Sequence, residues 1–271
     1  MKYMTFNSSC SYAGLANLLS YNGVDAEDRT IALKMGLPYL FAYEDGRYIS
    51  GPMLQGARWF NLYLHPVGFT LTEHQLSREE VCPYLRANPP AMLGLHVTPA
   101  SKHAVIYTGG REGEYHFLNN KRQTSPEPET LHLTEADLFA RLDQTVTVGV
   151  LEKTGPVPVN LQPYLESSLT TLRSLQSELT AFCSQEQPPA AQQQAMETLF
   201  RPILLDGAAM LELLEEERLA ASLRTVRAQF MKAVRGSHPA VLSSHLDMHM
   251  LTTAMTEYAQ LIAAEMETIC P

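Results

Sequence analysis

Along residues 160–271 the apolar positions recur every three or four residues, the period of an amphipathic helix. Leu165, Leu169, Leu172, Leu175, Leu179 and Phe182 form one such stripe, which Gln187-Pro188-Pro189 ends. A second helical stretch covers about 191–235 with a bend at Pro202, and Gly236-Ser237-His238-Pro239 separates it from a last helix over about 240–268. Three or four helices with short connections predict an antiparallel bundle or a helical lid.

Residues 1–154 have a different texture. Short helical patterns at 26–34, 53–62, 77–86 and 134–142 are interleaved with β-branched and aromatic runs at 38–43, 67–72, 91–97, 103–108, 114–119 and 145–151, which predict strands. Gly109-Gly110-Arg111-Glu112-Gly113 predicts a hairpin turn between two of them. A further helix follows Ser8-Ser9-Cys10, with Ser11, Leu15, Leu18 and Leu19 near one face and Asn22-Gly23 closing it. A serine at its start predicts a side-chain N-cap. Between the two textures, Gly155-Pro156-Val157-Pro158-Val159-Asn160 predicts an extended connector. The pattern thus predicts an α+β domain over 1–154 followed by an α-helical domain over 160–271.

Composition narrows the function classes. The 45% apolar and 18% charged residues are those of an ordinary globular protein. No apolar run approaches the roughly 20 residues of a membrane helix, so no membrane partner is expected. The opening Met1-Lys2-Tyr3-Met4-Thr5-Phe6-Asn7 lacks the apolar core of a signal peptide, which makes a cytoplasmic protein the expectation. The net charge is −9, with 13 acidic and 7 basic residues from 158 onward. That excess argues against nucleic acid as a partner and favours cationic or amine-bearing substrates. Cys10, Cys82, Cys183 and Cys270 show neither a zinc spacing nor a disulfide framework. The apolar positions over 162–182 and 240–266 are numerous enough to cover more than one another, which predicts a closed two-domain monomer or a homodimer.

One cysteine is placed for chemistry. A thiol attacks a carbonyl as thiolate, a form that a helix N-terminus and a neighbouring imidazolium both favour. The same helix amides can receive an oxyanion. Cys10 sits at such a helix start, although position alone equally suits a small buried residue. Ser101-Lys102-His103-Ala104-Val105-Ile106-Tyr107-Thr108-Gly109 puts His103 at the head of an apolar strand, and the hairpin returns as Tyr115-His116-Phe117-Leu118-Asn119-Asn120. Two adjacent strands of this length can bring Asn119 beside His103, where its side chain would fix the imidazole tautomer. Alone, His103 reads as a strand-edge histidine and Asn119 as a turn former. Together, in the order Cys, His, Asn, they read as a catalytic triad. Asn120 is the competing third member, on the opposite strand face.

The order of a helix-start cysteine, then a strand-start histidine and a glycine-turned hairpin ending in Asn, resembles papain-like enzymes. The likeness is closer to bacteriocin-exporter leader peptidases, and closer still to the amino-terminal domain family of butirosin biosynthesis protein H. Ser9-Cys10-Ser11, Leu15-Ala16-Asn17-Leu18-Leu19-Ser20-Tyr21-Asn22-Gly23 and Met35-Gly36-Leu37-Pro38-Tyr39-Leu40-Phe41-Ala42-Tyr43 carry it. It covers about residues 1–150 and implies a papain-like fold without a cofactor or metal. It also implies acyl transfer: the cysteine takes an acyl group from a small-molecule or carrier-bound thioester and passes it to an amine acceptor. One departure stands out. Papain-like peptidases carry a glutamine oxyanion donor six residues before the cysteine, and here that residue is Met4. Asn7 and Ser8 are the candidate substitutes, and the departure weighs against ordinary peptidase activity. A peptidase or amidase, and a catalytically silent binding scaffold, are the alternative readings.

Other signals are weaker. His245 and His249 have the spacing of a helical metal pair but lack a third ligand. Met248, Met250, Met255 and Met266 are expected to fill the bundle core. Trp59, Phe60 and Tyr63 read as the apolar face of a packed helix.

Overall fold

The computed structural model describes residues 1–99, 101–111, 113–236 and 238–269. Cys270, Glu112 of the expected hairpin turn and Ser237 of the expected helix break lie outside them. The chain forms two compact units: Met1–Met35 with Gln55–Val159, and Gly36–Leu54 with the residues from Asn160 on. In chain order the elements up to the connector are α1 (Cys10–Tyr21), α2 (Asp28–Lys34), the hairpin β1 (Phe41–Glu44) and β2 (Arg47–Ser50), α3 (Ala57–Leu64), β3 (Phe69–Ser77), α4 (Arg78–Ala87), β4 (Ala91–Thr98), β5 (Ser101–Gly109), β6 (Glu114–Asn119), β7 (Thr130–Thr134), α5 (Glu135–Ala140) and β8 (Thr145–Lys153).

The first unit is built on a six-stranded antiparallel sheet in the order β3-β8-β4-β5-β6-β7. Alternation decides its faces. Ala91, Leu93 and Leu95 of β4 join Val105 and Tyr107 of β5, Tyr115 and Phe117 of β6, Leu131 and Leu133 of β7, and Val146 and Val148 of β8 in one core beneath α4 and α5. Capping boxes start both helices. Ser77 N donates to Glu80 Oε2 at 2.8 Å, and Asp137 N donates to Thr134 Oγ1 at 3.2 Å. The opposite face carries Met92, over which α1 passes: a β-carbon added to Gly14 would lie 2.8 Å from Met92 Sδ. Glycine at 14 therefore lets the helix that starts at Cys10 settle close on β4 and β5. Trp59, Phe60 and Tyr63 are buried, as their pattern predicts.

In the second unit the hairpin β1-β2 packs with helices α6 (Gln162–Ser184), α7 (Pro189–Ala195), α8 (Ala208–Leu213), α9 (Glu217–Ala233) and α10 (Met248–Ile269). Phe41 N donates to Ser168 Oγ at 2.9 Å, Tyr48 OH to Glu178 Oε1 at 2.6 Å, and Tyr258 OH to the Pro38 carbonyl at 2.6 Å. The expected single helix over 191–235 is interrupted. Met196–Phe200 and Pro202–Gly207 form wide π-helical turns around Pro202, which has no N–H to donate, and Glu215 (φ 64°) breaks the chain again before α9. α10 begins at Met248 because β10 (Ala240–Val241) pairs with β9 (Glu186–Gln187) ahead of it. His245 is therefore off the helix that carries His249. Of the four methionines, Met255 is buried while Met248, Met250 and Met266 are half-buried.

Candidate active site

α1 begins at Cys10, but Ser9 does not cap it through its side chain. Ser9 Oγ instead lies 2.8 Å from Asp28 Oδ2 and 2.9 Å from the Phe6 carbonyl, so its proton is turned away from the first helical turn. Asp28 is fully buried at the start of α2 and also accepts from Thr5 N (2.7 Å), Thr5 Oγ1 (2.6 Å) and Arg29 N (2.8 Å). One carboxylate thus holds the turn before Cys10, and the competition it offers for the serine explains why the expected cap is absent. Among the described residues, the first-turn amides of α1 keep their positive end free of a side-chain oxygen from the cap.

His103 lies near the start of β5. Val105 pairs with Asn119 across β5 and β6, so His103 and Asn119 are diagonal neighbours on one face. The two side chains meet, with His103 Nδ1 3.0 Å from Asn119 Oδ1. Asn119 Nδ2 donates to the Pro128 carbonyl at 3.1 Å, which fixes the direction of the amide. A residue that the sequence pattern did not single out completes the group: Glu127 Oε2 is 3.3 Å from the same His103 Nδ1. With two oxygen acceptors facing it, Nδ1 carries the proton in the neutral ring, and Nε2 is the nitrogen left to accept one.

Asn120 points the other way and does a different job. Its Nδ2 donates to the Ala104 carbonyl at 2.9 Å, and its Oδ1 accepts from Asn17 Nδ2 of α1 at 2.8 Å. The residue after the histidine is thereby tied to the helix that bears the cysteine.

Cys10 and His103 line the same cavity, of about 490 Å³. Its walls include Ser11, Gln55, Gly56, Phe60, Glu73, Gln75 and Lys102. Asn7 and Ser8, the expected oxyanion donors, are not among the lining residues; Asn7 is exposed and Ser8 turns in the left-handed region (φ 57°). Of the two side-chain amides that line the cavity, Gln55 and Gln75, the one bonded to Ser11 of α1 is Gln55. Its Oε1 accepts from Ser11 Oγ, and its Nε2 has no acceptor among the described residues. Lys102 pairs with Asp143, which also contacts His96 Nε2 at 3.2 Å; these partners hold the Asp143 carboxyl below its usual range. Cys82 and Cys183 are buried, and burial raises the Cys82 thiol and pushes Cys183 up to about 12. Cys10 is half-buried at the cavity. The described residues hold no cluster of three or more His, Cys, Asp or Glu side chains able to grip a metal ion.

No protein-family model matches the chain, and no curated protein matches it in sequence. Among solved structures it is similar to the peptidase domain of Streptococcus ComA, a bi-functional ABC transporter involved in a quorum sensing pathway. The identity is 9% over 57% of this chain and 96% of that one, with a TM-score of 0.40. It is also similar to a double glycine motif protease from an AMS/PCAT transporter, solved with its leader peptide. There the identity is 11% over 56% of this chain and 89% of that one, with a TM-score of 0.39.

Proposed function

We propose that the chain is a cysteine-dependent acyltransferase that forms amide bonds through an acyl-Cys10 intermediate. The observation that supports this reading is the sharing of one cavity by Cys10, at a helix N-terminus, and His103, whose Nδ1 is held by Asn119 and Glu127. His103 Nε2 takes the thiol proton as Cys10 attacks the thioester carbonyl. The tetrahedral oxyanion is received by the first amides of α1 and by Gln55 Nε2. The leaving thiolate departs with the proton returned from His103, and Cys10 holds the acyl group as a new thioester. An amine then attacks, His103 takes its proton, and Cys10 is released as the amide forms.

Hydrolysis is the second reading, and Gln55 favours it. The absence of a glutamine at Met4 weighs against a peptidase, and a side-chain amide reaching the cavity from another segment removes part of that objection. The readings separate when the protein is incubated with short-chain acyl thioesters with and without added amines. Amide product that grows with amine concentration supports transfer. Free acid released at a rate indifferent to amine identifies a hydrolase.

A further inference from the structure

We infer that the cavity contains a subsite for a positively charged group of the substrate, centred on Glu73 of β3; this deepens the reading of Cys10 as nucleophile and rests on it. Three features of the first unit carry the inference.

The first is the floor beneath α1. Met92 lies under Gly14, and along the sheet register Met92 pairs with Gly149, which pairs with Glu73. Two strand spacings, roughly 10 Å, separate Met92 from Glu73. The position between them is a glycine, so no side chain rises from the floor there.

The second is the fit of Gly56 against the carboxylate. Gly56 has φ 93°, a conformation that favours glycine, and a β-carbon there would lie 3.2 and 3.3 Å from the two Glu73 oxygens. The wall that starts at Ser11 and Gln55 thus continues through bare backbone to the carboxylate.

The third is the lack of a paired side-chain cation; the positive pole beside Glu73 is the N-terminal end of α3, whose N-cap is Gly56. Glu73 is exposed to the cavity and has no hydrogen-bond or ion-pair partner among the described residues. It is also the single acidic side chain among the described lining residues. Its strand neighbour Gln75 is spent on Thr147 Oγ1 at 2.8 Å. Lys102 lies on β5, across β8 and β4 from β3, and is held by Asp143. A carboxylate kept open on the floor of a cavity, with the resident cation already paired, suits an ammonium or guanidinium group brought by the ligand.

The test uses thiol reagents of matched size that differ in charge, in the full chain carrying Cys270→Ser. Methanethiosulfonates bearing a trimethylammonium, a neutral or a sulfonate group each give a mixed disulfide on Cys10, with methanesulfinate leaving. The cationic-to-neutral rate ratio is compared among the parent, Glu73→Gln and Glu152→Gln, the last removing an exposed acid of β8 outside the cavity. The expected result is a ratio about 3–10-fold lower in Glu73→Gln, with the sulfonate reagent accelerated, and little change in Glu152→Gln. Equal ratios in all three proteins, or equal losses in the two variants, would overturn the subsite while leaving the nucleophile intact. A Cys10 that no reagent modifies faster than a free cysteine would overturn the underlying reading instead.

Discussion

Asn120 is bonded to Asn17 at 2.8 Å and to the Ala104 carbonyl at 2.9 Å, so one buried amide links the strand of His103 to the helix of Cys10. Asn17 in turn receives Lys2 N at 2.6 Å and donates to the Lys2 carbonyl at 2.9 Å. Asn120→Ala removes the side-chain donor of the Ala104 carbonyl and one acceptor of Asn17 Nδ2, which keeps the Lys2 and Ala13 carbonyls, and should cost about 1–3 kcal/mol of stability. Denaturant unfolding measures this directly; a loss below about 1 kcal/mol would show that the clasp holds nothing.

Asn119 and Glu127 should affect turnover, because both act on the imidazole; Asn119 is also buried and donates to the Pro128 carbonyl, so its loss should lower stability as well. His103→Ala should lower the rate by roughly 10²–10⁴-fold, as for a lost general base. Asn119→Ala and Glu127→Gln should each cost less, on the order of 10-fold, with KM little changed. Glu127→Gln keeps a hydrogen-bonding side chain but loses the charge that stabilises the imidazolium formed during proton transfer. An unchanged kcat in Glu127→Gln would make the 3.3 Å contact incidental to turnover.

A pH dependence is expected from the second unit. Asp206 is buried, its Oδ1 has no hydrogen-bond partner among the described residues, and burial pushes its carboxyl up to about 6 although Arg201 Nε donates to Oδ2 at 3.1 Å. The folded value lies above the ordinary 3.8, so this group's contribution to stability is full below about pH 4 and is lost as pH rises through 6. The shift corresponds to about 3 kcal/mol. The difference in unfolding free energy between the parent and Asp206→Asn should therefore fall by up to that amount between pH 4 and pH 7.5. A difference independent of pH would contradict the assignment.

The placement of Cys10 at a helix start and of His103 and Asn119 on paired strands was legible for a physical reason. The apolar spacing and Asn22-Gly23 mark the helix that Cys10 starts, and two strands joined by a short turn must run side by side. Which of Asn119 and Asn120 faces His103 was not legible, because the register shift between Tyr107 and Gly109 resets the parity of the returning strand. Glu127 carries no such mark, since it lies in the irregular stretch between β6 and β7 and meets His103 only once that loop has folded. Gln55 and Glu73 come from a helix approach and a distant strand, and no periodicity joins them to Cys10. The strand pattern at 38–43 likewise shows one strand, without its hairpin partner β2 and without the core the hairpin enters. Its bonds run to Ser168, Glu178 and Pro202, so Gly36–Leu54 belongs with the helical unit.

That membership has a consequence for truncation. A chain ended at residue 157 keeps Phe41, Tyr48 and Ile49 of the hairpin but loses the helices that bury them. It should be poorly soluble or aggregate, and replacing Gly36–Leu54 by a short flexible linker in the same fragment should improve its recovery. Size-exclusion chromatography of both fragments decides the matter; a soluble monomer from the uncut 1–157 chain would show that the hairpin needs no helical partner.

The most direct measurement is competition among the thiols of the Cys270→Ser chain for limiting iodoacetamide, located by peptide mass analysis. Cys82 and Cys183 are buried, whereas Cys10 opens onto the cavity it shares with His103. The predicted result is modification at Cys10 ahead of Cys82 and Cys183, faster than that of free cysteine and slowed by at least about 10-fold in His103→Ala. Modification of Cys10 at the free-cysteine rate, unchanged in His103→Ala, would contradict its role as the nucleophile.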